Sequence, residues 1–164
     1  MNLFTGHSAD AFFGGDVPRA VRRLLHQAAA SQGHERAALL WTAQALAPSC
    51  LATYYALYKH HAGRREFALA ERAAERALVE AALQGGLAPD WRAVRPAADL
   101  DFHHDGPQRF WLFTLKSLAF IRLRSGRAEE AHELLARIDA LEPQARLGAD
   151  VIAELLAAAR RRSS

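Results

Sequence analysis

A single cysteine, Cys50, leaves no partner for an intrachain disulfide, and a reducing compartment fits that usage. Val, Ile and Thr are scarce, while alanine takes 36 of the 164 positions. That skew disfavours sheet and favours helix, because Ala gives up no side-chain entropy in a helix and has no β-branch to pack on a pleat. An excess of one charge is also missing. The 21 Lys and Arg against 18 Asp and Glu leave a net +3, too near balance to demand a polyanionic partner. Nineteen of the 21 basic residues are Arg, which coding bias explains as readily as function. No basic region precedes an apolar run at the N-terminus, so no secretory leader is visible. Residues 37–58 carry no charge, a length that spans a bilayer, but Pro48 sits in their middle beside Gln44 and Ser49. Two short helices meeting at the proline explain the stretch better. A cytoplasmic protein with no membrane partner is expected.

The familiar chemical motifs are absent as well. Gly14-Gly15 and Gly85-Gly86 lack the Lys-Ser or Lys-Thr that would hold phosphates, and no G-x-S-x-G is present. His34-Glu35 and His132-Glu133 begin a zinc-protease pattern, but the second histidine would fall at Ala38 or Ala136. Alternate residues of an extended segment share a side, which would gather Asp101, His103 and Asp105 as a divalent-metal set. A glycine-flanked loop holds such ligands poorly, and a solvated acidic turn is the expected reading. His60 and His61 are adjacent on a helix and point about 100° apart, so they are not expected to form one ligand face. Cys50 sits at a helix start, where the dipole favours a thiolate, but a lone Cys in an apolar stretch is expected to be a small core residue. No catalytic residue, metal or cofactor is therefore assigned. The alternative is a metal-dependent enzyme built on Asp101, His103 and Asp105.

What the chain does have is an internal repeat. Counting back from Pro48 and from Pro143, two residues gives Leu46 or Leu141, five gives Ala43 or Ile138, and eight gives Leu40 or Leu135. These are helical-face spacings closing on a proline that cannot continue the helix. A less regular copy runs from Gly63 to Leu78, with Ala70, Ala74, Ala77 and Leu78 on one side. Gly33, Gly63 and Gly126 each stand between two helical stretches, where the chain is expected to turn through a left-handed conformation. Three antiparallel hairpins follow, at about 17–48, 49–83 and 107–143. The first opens on Asp16-Val17-Pro18, an acidic cap with proline in the first turn. A helix over about 147–162 carries Leu147, Val151, Leu155 and Ala158 as a stripe and reads as the seal on the last hairpin. The 84–106 segment interrupts the array, and Pro89-Asp90-Trp91 is expected to start one helical turn within it. Trp91 and Leu87 are expected to fold this insert back onto the helices. The 164 residues make one all-α domain.

The 107–143 hairpin resembles a tetratricopeptide repeat (TPR), with Leu118, Ala119, Gly126, Ala131, Leu135 and Pro143 at the family's places. Arg122 departs from it, where tyrosine is usual. The 17–48 unit matches through Leu40, Ala43, Leu46 and Pro48, and the 49–83 unit through Gly63. The resemblance covers about two-thirds of the chain by this unit count. It implies a short right-handed solenoid whose first helices line a concave groove. On that pattern the groove-facing residues are Arg23 and Gln27, then Thr53, Leu57, His60 and His61, with Tyr54 and Tyr58 exchanging with neighbours. The third unit gives Phe113, Lys116, Phe120 and Arg124. A cationic, aromatic lining suits an extended peptide or amphipathic helix bearing acidic and hydrophobic side chains. Similarity to short bacterial TPR proteins implies an adaptor, secretion chaperone or assembly factor. A homodimer through an uncovered end face is a further expectation. Nucleic acid is not an expected partner, since only Arg160-Arg161-Arg162 forms a basic patch and no stacking-aromatic module accompanies it.

Overall fold

A computed structural model describes residues 16–143, together with Ala157 and Arg161. Among the described residues there are six α-helices and no strand. They are α1 (Arg19–Ala29), α2 (Gly33–Leu46), α3 (Leu51–Gly63), α4 (Phe67–Gly85), α5 (Pro107–Arg124) and α6 (Ala128–Leu141). The N-terminal glycine pair lies outside the described residues, and so does the expected 147–162 helix apart from Ala157 and Arg161.

Each helix packs against the next one in the chain. Three of these contacts are hairpins, α1 with α2, α3 with α4, and α5 with α6. Two further contacts skip a helix: α1 touches α3, and α3 touches α5. One continuous core runs from Ala28 to Ile138. α4 contributes Ala70, Ala73, Ala74, Ala77 and Ala81, all fully buried, and residues this small let α3 and α5 approach it closely. α5 contributes the bulk, with Phe110, Trp111, Leu115 and Leu118 at 0% exposure.

The turns repay the glycine reading in two places out of three. Gly33 and Gly126 take positive φ, +55° and +86°. Gly63 does not: it closes α3, and the left-handed residue is Arg65, at φ +61°. The chain must reverse there so that Glu66 N–H reaches His61 O at 2.9 Å, and geometry rather than residue preference sets which position takes the strain. Asp16 does not cap the first helix either. α1 begins after Pro18 with no side-chain cap. Its far end is served instead by Arg36 of α2, whose Nε donates to Ala28 O at 2.9 Å.

The insert folds as its residues suggest. Trp91–Ala93 is a single 3-10 turn, with Asp90 Oδ1 accepting from Arg92 N–H at 3.0 Å. Trp91, Val94 and Phe102 are buried, Phe102 stacks on Trp111 at 6.2 Å, and Leu87 packs against the same core. Gln108 clamps the two ends of the insert, donating from Nε2 to Gly85 O at 2.9 Å and accepting Asp101 N–H on Oε1 at 2.7 Å.

Candidate functional site

The groove-facing set divides by burial. Arg23 and Gln27 are exposed on α1, and Arg124 is exposed near the end of α5. Phe113, Lys116 and Phe120 are half-buried along α5. Thr53, Tyr54, Leu57, Tyr58, His60 and His61 on α3 are buried. Tyr54 Oη donates to Pro48 O at 2.6 Å and accepts from Gln44 Nε2 at 3.3 Å. Tyr58 Oη pairs with Thr114 Oγ1 at 3.3 Å, and burial pushes its phenol well above the ordinary range, so it stays protonated. Lys116 Nζ lies 3.5 Å from Glu142 Oε2.

Tyr55 ties the half-buried part of this face together. Its ring meets Tyr58 edge-on at 5.7 Å and Phe113 at 5.8 Å, and Lys59 Nζ lies 5.4 Å from its centroid. One helix turn and more along α5, Arg124 lies over Phe120 at 5.7 Å. Tyr55 and Lys59 are absent from the groove set read from sequence. Their i, i+4 spacing on α3 is the signal that finds them.

The Asp101, His103 and Asp105 set is drawn to separate partners. Asp101 Oδ1 accepts the His103 and His104 backbone N–H groups at 2.9 and 3.2 Å, and its other oxygen pairs with the His104 ring. Those contacts hold its carboxyl below the usual range, the His103 N–H contributing most. Asp105 Oδ1 accepts from Arg109 at 2.7 Å, and His103 Nδ1 lies 4.0 Å from Glu142. Cys50 is buried at 7% exposure and lines a cavity of about 490 Å³ at the N-terminal ends of α3 and α5. Two of that cavity's carboxylates are engaged, Glu80 by Gln84 at 2.9 Å and Asp105 by Arg109.

The histidine pair corrects the sequence reading. His60 and His61 have ring centroids 5.0 Å apart, and with Glu66 they place one ligand atom each within 4.8 Å of one another. The two imidazoles meet although adjacent positions on a helix point about 100° apart. No other group of three His, Cys, Asp or Glu side chains meets that spacing among the described residues. Trp41 Nε1 donates to His61 Nε2 at 3.1 Å, and His61 Nδ1 faces Glu66 Oε1 at 3.3 Å. Arg64 Nε donates to the same oxygen at 2.9 Å. His60 Nε2 is buried with no hydrogen-bond partner among the described residues. Burial, with help from His61, Arg36 and Arg64, holds the His60 pKa below its ordinary value.

Arg122 is the other residue whose role sequence left open. It is buried at 7% exposure and reaches Glu71 and Glu75 of α4 at 3.0 Å each, and Glu130 of α6 at 3.5 Å. Arg127 joins from the α5–α6 turn, pairing with Glu71 and, at 3.2 Å, with Glu130.

No protein-family model matches the chain, and neither do the curated proteins or the solved structures compared with it. Among the described residues no helix is long and apolar enough to cross a membrane.

Proposed function

We propose that this chain is a non-catalytic protein-binding module of TPR-like architecture, an adaptor or chaperone-like assembly factor. It holds an extended peptide or amphipathic helix along its first helices. The observation that carries the reading is the skip contact: α1 touches α3 and α3 touches α5. Hairpins stacked so that their first helices adjoin present those helices as one continuous inner wall. The half-buried Phe113 and Phe120 along α5, with Lys59 over Tyr55 and Arg124 over Phe120, give that wall apolar footholds beside positive charge. Such a surface suits a partner with hydrophobic anchors and acidic flanks.

Charge reversal at the two exposed arginines tests this. Arg23→Glu with Arg124→Glu leaves the core untouched, so circular dichroism and melting stay as in the parent chain. Partners recovered by affinity capture from the native host, identified by mass spectrometry, are lost from the double variant. Equal recovery by both proteins refutes the wall as the binding surface.

A homodimer is the second reading, favoured by Leu46, Val79 and Leu83, which are 61%, 56% and 76% exposed. Val79 and Leu83 lie four residues apart, on one face of α4.

A further inference from the structure

We propose that His60, His61 and Glu66 bind one transition-metal ion of the zinc class at the turn between α3 and α4. The two histidines end α3, Arg65 reverses the chain, and Glu66 is drawn back by its N–H bond to His61 O. Ligand nitrogens and oxygens sit about 2.0–2.2 Å from zinc, which puts neighbouring ligand atoms roughly 3.4 Å apart in a tetrahedron. Three candidate atoms within 4.8 Å of one another need only side-chain adjustment to close on an ion. Two imidazoles and a carboxylate form a donor set that suits zinc and its neighbours rather than the all-oxygen cations.

A second observation points the same way. A buried ring nitrogen with no partner is costly, and His60 Nε2 is one. Coordination at that atom removes the cost.

Trp41 supplies a reporter. An indole N–H only donates, so His61 Nε2 accepts and the ring proton of neutral His61 sits on Nδ1, facing Glu66. A metal ion bound at Nδ1 displaces that proton, and the neutral ring then carries it on Nε2 instead. Two N–H groups then face each other, and the Trp41 indole must move away. Metal binding at this site is thus coupled to the surroundings of one tryptophan. Arg64, which shares the Glu66 oxygen, and Arg36 nearby oppose a cation, so this three-residue set binds more weakly than a four-ligand structural site.

The experiment is a titration of the full chain, without an affinity tag, with zinc chloride, followed by calorimetry and tryptophan emission. One equivalent binds, and the emission changes. Glu66→Gln, which keeps shape, and His60→Ala each weaken binding by at least about tenfold while circular dichroism shows the same helicity. Trp41→Phe still binds zinc but loses the emission change. No binding at millimolar zinc overturns the site, and so does full-strength binding to both Glu66→Gln and His60→Ala, which would assign the ion to other histidines. The titration contains no partner protein, so its outcome is independent of the function proposed above.

Discussion

At the scale of single residues, His60 shows how a side chain's surroundings become a property of the whole protein. Its imidazole is buried at the end of α3, beside His61, with Arg36 reaching from α2 and Arg64 and Glu66 from the turn into α4. Desolvation and three cationic or ionisable neighbours outweigh the one carboxylate and depress its pKa in the folded chain. The unfolded chain has an ordinary histidine of pKa about 6.5 and so binds the proton more readily. Stability is therefore fully present above about pH 6.5 and declines as pH falls through the depressed folded value. With a chelator present, melting temperature is expected to fall as pH drops from neutrality towards 5, and His60→Asn should flatten that fall. An equally steep decline in the variant would take His60 out of the account. The neighbourhood of His60 was largely illegible in the sequence. Trp41 lies 20 positions before His61 and Glu66 five after it, on different elements, and only the fold brings them to opposite nitrogens of one ring.

At the scale of elements, the helices were legible and their joints only partly so. The proline count from Pro48 and Pro143 rests on side-chain periodicity, and Leu40, Ala43, Leu135 and Ile138 are buried as that periodicity requires. Joints depend on where the reversal falls, and the glycine at 63 sits two residues ahead of it. Arg65 consequently takes a backbone conformation that costs a side chain with a Cβ of the order of 1 kcal/mol. It is exposed, so its replacement disturbs no packing. Arg65→Gly should stabilise the chain by about 0.5–1 kcal/mol, read as a higher urea midpoint. A lower midpoint would mean that the turn does not carry this strain. The groove set was read as a row of positions on α1, α3 and α5. The sequence did not reveal how deep α3 lies, because α3 has helices on several sides: α4 and α5 press on it as well as α2. Thr53, Leu57 and Tyr58 belong to that crowded helix and are buried.

At the scale of the whole molecule, the insert is part of the core and not a tether. Phe102 joins the same cluster as Leu57 and Leu134, through its stack on Trp111. Removing it opens a hole beneath α5, so Phe102→Ala should cost about 3 kcal/mol. The loss should appear in one unfolding transition, with tryptophan emission and circular dichroism coinciding. A midpoint unchanged from the parent would detach the insert from the core. Two separated transitions would show that the hairpins unfold independently. Trp91 made the folding-back of this segment readable in advance, since a large aromatic in a loop has few places to go but inward.

The buried guanidinium of Arg122 carries a further consequence. It engages Glu71 and Glu75 on one hairpin and Glu130 on its own, and Arg127 closes the ring of charges. Plain apolar seams between helical pairs are permissive and accept many neighbours of the right size. A seam with a charge lock accepts one, because any other pairing strands an ion in a dry place. The hairpins of this chain are therefore not interchangeable parts. Their order is written into the joint, and a shuffled or duplicated copy would have to bring its matching acids with it.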